Sequence, residues 1–130
     1  MGITDSIERL QAGMDYHLAR HNLLTANLAH VDTPGYMPLD LAQRAAFDGA
    51  LDQAMATTDP AHIAFEGGSK DGWEVITDPT AVPGADGNGV RLDREAVKIA
   101  ANSLRYDSLA TLIQNQLADL AWAAQDGRNG

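Results

Sequence analysis

Ile3, Ile7, Leu10, Met14, His17, His21, Leu24, Leu28 and Val31 follow one another in alternating steps of four and three. That is four heptads without a slip, and seven of the nine positions are apolar. A repeat of 3.5 residues keeps one stripe turned to a partner helix with left-handed supercoiling. The spacing predicts a first helix near residues 5–30, with Asp5 and Glu8 resembling a capping box at its start. The far end repeats the pattern. Ile99, Ser103, Tyr106, Ala110, Ile113, Leu117, Leu120 and Ala124 step in fours and threes, and Leu109 and Leu112 widen the stripe. Leu92-Asp93 opens this last helix with Asp93 as N-cap, and Gly127 ends it near residue 125.

Between them the periodicity weakens. Asp40-Leu41-Ala42-Gln43 repeats the capping pattern, and Phe47, Ala50, Leu51 and Ala54 follow at helical spacing, so a short second helix is expected near 40–55. Residues 56–89 hold Pro60, Pro79 and Pro83 and six glycines from Gly67 to Gly89. Trp73-Glu74-Val75-Ile76-Thr77 is the one strand-like run, half of a small hairpin or a strand paired with another subunit. The fold expected is mainly α. Long terminal amphipathic helices pair as an antiparallel coiled coil, beside a short second helix and an irregular Gly/Pro/Asp-rich middle with at most a small β-hairpin. Three regions follow: 1–36, the first helix and its terminating turn; 37–91, the short helix and acidic middle; and 92–130, the C-terminal helix.

The first helix runs into an abrupt stop. Pro34 has no N–H to donate and pushes Thr33 out of the helical region. Pro34-Gly35 suits the centre of a type II turn, with Gly35 taking the positive φ. Tyr36 follows, as a ring packed where the chain reverses, as a contact to a neighbouring subunit, or as both.

Composition narrows the function. The 130 residues are 45% hydrophobic but only 5% aromatic, and carry a net charge of −9. No basic stripe exists to neutralise phosphates or an anionic membrane surface. Asp48 to Gly89 holds eight acidic residues and one basic, Lys70, whereas the other 88 residues hold ten acidic and eight basic. That division suits ends that pack together and a middle that faces water. Two paired helices bury only part of such stripes, so leftover apolar surface implies an assembling protein. There is no cysteine for disulfide or thiolate chemistry. The N-terminus lacks the basic and apolar regions of a secretory signal.

Candidate chemistry is thin. His17 and His21 share a helical turn at metal-ligand spacing, but no third ligand is in evidence and both sit on the apolar stripe. They read as seam histidines, and a seam that holds neutral imidazoles predicts assembly weakened by acid. Gly84 to Glu95 can be laid on a calcium loop, with Asp86, Asn88, Gly89 and Glu95 in register. Gly84 stands where the first ligand belongs, Arg91 takes an apolar position, and Pro79 and Pro83 forbid an entering helix, so the segment reads as a turn leading into an N-cap. No nucleophile elbow, P-loop or dinucleotide fingerprint is present. No enzyme, cofactor or metal is expected.

Ala26-Asn27-Leu28-Ala29-His30-Val31-Asp32-Thr33-Pro34-Gly35-Tyr36 resembles the Ala-Asn-(Ile/Leu)-Ala-Asn-x-(Asp/Asn)-Thr-Pro-Gly-Tyr signature of flagellar axial proteins. Asn88-Gly89-Val90-Arg91-Leu92-Asp93-Arg94-Glu95, with Ala101-Asn102-Ser103-Leu104-Arg105-Tyr106, is similar to the corresponding run of the proximal rod proteins of the FlgB type. Thr58-Asp59-Pro60-Ala61-His62-Ile63 resembles that family's Pro-x-His-(Ile/Leu) element. Against the family pattern, His30 replaces Asn, Gly89 replaces a second Asn, Met37-Pro38 replaces a more polar pair, and Ala96 replaces Met. A C-type rod subunit is of similar size, and the B type fits better.

The resemblance implies a structural subunit of the proximal rod of the bacterial flagellar basal body, exported without a cleaved signal and polymerised across the periplasm as part of a drive shaft. Its implied partners are other rod subunits and the adaptor and export-gate proteins at the rod base, with no nucleic acid and no membrane insertion. Asn27, Asp32, Thr33, Pro34, Gly35 and Tyr36 are the implied assembly motif. Ile7, Leu10, Met14, Leu24, Leu28, Ile99, Tyr106, Ile113, Leu117 and Leu120 are the expected helix-pairing stripe. The competing reading is a soluble helical adaptor or chaperone that offers the same stripes to one partner.

Overall fold

The computed structural model describes residues 2–43 and 72–126. Over these the chain is mainly helical, with two helices and a two-stranded antiparallel sheet: α1 (Ile3–Ala29), β1 (Leu39–Gln43), β2 (Trp73–Thr77) and α2 (Leu92–Asp126). No helix among the described residues is long and apolar enough to cross a membrane. The described residues form two compact units. One comprises 2–22 and 93–126; the other comprises 23–43 and 72–92.

In the first unit, α1 begins two residues before the expected start. The Gly2 N–H donates to Asp5 Oδ2 at 3.3 Å and the Ser6 N–H to Gly2 O at 3.3 Å, so Asp5 reaches back to the residue ahead of the helix. That is half of a capping box, set three residues earlier than the Asp5–Glu8 pattern suggests. α2 begins at Leu92, which puts Asp93 inside its first turn rather than ahead of it. Asp93 and Glu95 there oppose the positive end of the helix dipole. Glu95 is 2% exposed and lies 3.6 Å from Lys98 Nζ. Helix α2 runs to Asp126, and Gly127, the expected terminator, lies outside the described residues.

The inner face of α2 is broader than the stripe that apolar residues alone mark out. Glu95, Ile99, Asn102, Tyr106, Leu109, Ile113, Gln116 and Leu120 are buried or half-buried, whereas Leu117 is 50% exposed. This series also alternates four and three. Ser103 and Ala110 of the sequence stripe are half-buried as well, so Asn102, Leu109 and Gln116 broaden that stripe rather than replace it.

The second unit holds the hairpin. β1 pairs with β2 in the register Leu39↔Thr77, Leu41↔Val75, Gln43↔Trp73. The strand expected at 73–77 is present with its partner in the same chain. Residues 40–43 are strand, which corrects the start of the expected second helix; residues 44–55 of that helix, and the Thr58–Ile63 element, lie outside the described residues. The physical reason lies on both sides of Asp40. Pro38 holds the entering backbone extended. A five-residue ladder then outweighs a weak local helix signal. Asp40 Oδ1, the supposed cap, accepts the Leu41 N–H at 2.8 Å. Among the described residues of this unit, Leu24 at 0%, Leu41 at 6% and Val90 at 8% exposure are the buried large apolar side chains, joined by Pro38 and by the polar Asn27, Asp78 and Asn88.

Candidate functional site

The turn at the end of α1 is built as its residues require. The His30, Val31 and Thr33 amides donate three residues back, to Asn27 O, Leu28 O and His30 O, tightening the last turn. The Tyr36 N–H then closes on Thr33 O at 3.3 Å with Gly35 at φ 74°. This is the expected type II turn, with Pro34 and Gly35 at its centre.

A helix end leaves carbonyls without partners. Here a residue distant in sequence takes them. Asn88 Nδ2 lies 2.9 Å from His30 O, 2.8 Å from Val31 O and 2.8 Å from Thr33 O. Two hydrogens serve three acceptors, so one is shared. Asn88 Oδ1 accepts the Val90 N–H at 2.7 Å, which fixes the carboxamide's orientation; flipping it would turn an acceptor toward three carbonyls. The loop carrying Asn88 is wound on itself: Asp86 Oδ1 accepts from Asn88 N, Gly84 O from Gly87 N, and Asn88 O from Gly84 N. Its main chain meets the turn twice more, through Gly35 N to Asp86 O at 3.0 Å and Gly89 N to Tyr36 O at 2.9 Å. The segment that superficially follows a calcium loop thus spends its side chains on protein partners. Among the described residues no group of three or more His, Asp or Glu is placed to hold a metal ion.

Gly87, at φ 78°, brings its Cα so close that an added Cβ would stand 3.3 Å from Gly35 Cα. Two left-handed glycines therefore face each other where the loop crosses the turn, and a side chain at Gly87 would be strained both by its backbone and by its neighbour.

On the other side of the turn stands Asn27, at 0% exposure. Its Oδ1 accepts the Leu39 N–H at 2.9 Å and the Tyr36 hydroxyl at 3.2 Å, and its Nδ2 donates to Leu39 O at 2.8 Å. One carboxamide satisfies both backbone groups of the first residue of β1, as a neighbouring strand would. The Tyr36 ring stacks on His30, centroids 4.3 Å apart and 16° between planes, and His30 Nδ1 lies 3.2 Å from Thr33 Oγ1.

Of the six residues expected in the assembly motif, Asn27 and Tyr36 are brought into contact, while Asp32, Thr33, Pro34 and Gly35 form an exposed tip. Two departures from the resembled pattern also meet. An added Cβ at Gly89 would lie 3.0 Å from both Met37 Sδ and Pro38 Cδ. Gly89→Ala is therefore expected to cost about 1–3 kcal/mol by overpacking. Met37→Ala should recover only part of the loss, because the Pro38 ring cannot move aside. Urea midpoints of the two single variants and the double variant check this.

The expected helix-pairing residues divide between the units. Leu24 and Leu28 belong to the unit of the turn; Ile7, Leu10, Met14, Ile99, Tyr106, Ile113, Leu117 and Leu120 belong to the other. In that unit α1 and α2 meet where an added Cβ at Gly13 would stand 3.1 Å from Leu109 Cδ1, and where His17 bonds Asn102. Numbers rise on one helix as they fall on the other, so the contact is antiparallel. Beside it lies a cleft of about 240 Å³ lined by His17, Leu18, His21, Asn102, Ser103, Tyr106 and Asp107. Asn102 Oδ1 can only accept, so His17 Nδ1 carries the proton in the neutral ring as well as in the cation.

In the sequence Asn88 and Asn102 stand inside matching runs, and the one role weighed for either is Asn88's place on the calcium-loop pattern. Asp86-Gly87-Asn88-Gly89 is a local turn signal, yet nothing local shows that Asn88 reaches a helix end 55 to 58 residues earlier.

No protein-family model matches the chain. Curated relatives do. The chain is 34% identical over 109 residues to the flagellar basal body rod protein FlgB of Cereibacter sphaeroides, covering 80% of this chain and 81% of that protein. It is 28% identical over 125 residues to the FlgB of Salmonella typhimurium, covering 90% and 91%. Against the FlgB of Escherichia coli the identity is 26% over 125 residues, with the same coverage.

Proposed function

The chain belongs to the family of the flagellar basal body rod protein FlgB, and from that membership we propose that it is a structural subunit of the flagellar rod, not an enzyme. It polymerises through its terminal helices and helps to form the proximal part of the shaft that crosses the periplasm, after export without a cleaved signal. Its α1 and α2 stripes pair as an antiparallel coiled coil. Its regions 1–36, 37–91 and 92–130 serve as first helix with turn, outward middle and second helix. Other rod subunits are its neighbours, with adaptor and export-gate proteins at the rod base.

The observation that carries the proposal is the turn held from both sides by buried asparagines. A subunit that transmits torque needs the chain to leave its helix in one fixed direction, and Asn27 and Asn88 fix it. The Asp32–Gly35 tip, exposed and rigidly based, is then available to a neighbouring subunit. Antiparallel contact between α1 and α2 at His17 and Gly13 supports the pairing.

The test is the presence of the chain in detergent-washed basal bodies, comparing wild type with a Pro34→Ala, Gly35→Ala double variant. Wild type in the rod, with the variant exported but absent from it, is expected. Wild type soluble with a single partner would replace this reading with that of an adaptor.

A further inference from the structure

We infer that Asn102 and His17 are the pair that selects the register of α1 against α2. Asn102 is 1% exposed on the inner face of α2. Its Nδ2 donates to the main-chain oxygen of His17 at 2.7 Å, and its Oδ1 accepts from His17 Nδ1 at 2.7 Å. Both hydrogen-bonding ends of one side chain are thus met by one residue of the other helix. The Tyr16 ring meets the His17 imidazole edge-on, centroids 5.1 Å apart, and so steadies the ring that Asn102 reads. Beyond this layer, Leu109 packs onto the notch left by Gly13, where a Cβ would lie 3.1 Å from its methyl carbon.

Such a device has a purpose here because the stripes themselves do not choose. A heptad repeat is unchanged by a slide of seven residues, which moves one helix along the other by about 10 Å. A slide in either direction would set Asn102 against Leu10 or Leu24 in place of His17. Leucine offers a main-chain oxygen there but no side-chain donor, so Asn102 Oδ1 would lose its partner, and an unmet buried acceptor is penalised far more than an apolar contact is rewarded. A polar residue at one seam position fixes register in this way even though it contributes less stability than leucine there.

The inference rests on the pairing of terminal helices in the proposed function and not on rod incorporation. The chain contains no cysteine, so introduced thiols at exposed Gln11 and Ala121 are the only labelling sites. Spin-label distances are read on the monomeric full chain, for wild type, Asn102→Leu, and the His17→Leu, Asn102→Leu double variant. A single narrow distance is expected for wild type. The double variant, with an all-apolar layer, should keep its helix content and its urea midpoint while the distribution splits, with new peaks displaced by up to about 10 Å. Asn102→Leu should show the same displaced peaks. One unchanged narrow distance in both variants overturns register selection and leaves pairing intact. Loss of any defined distance in both variants, with no displaced peak, overturns it too, since the pair would then be needed for pairing rather than for choosing. A broad wild-type distribution overturns the pairing reading itself.

Discussion

Asn88→Ala is expected to remove about 3–5 kcal/mol from the unit that holds the turn, the loss of a side chain that serves three part-buried carbonyls and one buried N–H at once. The His30, Val31 and Thr33 carbonyls lose the amide that collects them, and the Val90 N–H loses its acceptor. His30 O and Thr33 O keep one partner each, which holds the figure below the sum of four independent bonds. Against a stability of about 5–15 kcal/mol for a small domain, such a loss is a large fraction. Trp73 lies in this unit and Trp122 does not, so urea unfolding followed by fluorescence in a Trp122→Phe background reads it directly. A loss below about 1 kcal/mol would mean that water replaces the carboxamide without penalty.

Asn88→Asp separates donor from acceptor and should be worse than alanine at neutral pH. The introduced carboxylate still accepts from Val90 but faces three carbonyl oxygens at the negative end of α1. Protonation returns one donor, so the fold favours the protonated carboxyl. Stability in this variant is then greater in acid and is lost as the pH rises through the carboxyl's range.

Asn88 also marks where sequence ceases to inform. The stop at Pro34-Gly35 was legible because its cause is local: one residue lacks an N–H and the next tolerates positive φ. The strand at Trp73–Thr77 was legible from its β-branched and aromatic run. Its partner was not, because Asp40 to Gln43 carries a helix-start pattern, and only a ladder to residues 30 or more positions away turns it into β1. The inner face of α2 was half legible. Steps through Ser103, Ala110 and Leu117 and steps through Asn102, Leu109 and Gln116 keep the same rhythm. Apolar preference marks the first, and hydrogen bonding to a distant helix adds Asn102 from the second. Buried polar residues are invisible to a search for apolar faces, and here they carry the specificity of both units.

Asn27→Ala carries the other large expectation, a loss of about 2–4 kcal/mol. Asn27 is wholly buried, so water has no ready route to the groups it leaves. Both backbone groups of Leu39 depend on it, and their loss reopens the edge of a two-stranded sheet that has no third strand among the described residues. Tyr36→Phe is the control on the same atom. It removes only the hydroxyl that donates to Asn27 Oδ1, which still accepts from Leu39, so less than about 1 kcal/mol should be lost. Amide exchange distinguishes the two: in Asn27→Ala the Leu39 N–H should lose its protection, and in Tyr36→Phe it should keep it. If Leu39 stays protected without Asn27, the hairpin holds its own edge and the direction in which the chain leaves α1 is set by Pro34 and Gly35 alone. If protection is lost while the Pro34-Gly35 turn persists, then direction and turn are separable. The joint proposed for the rod subunit would then consist of a local turn that reverses the chain and a buried asparagine that aims it.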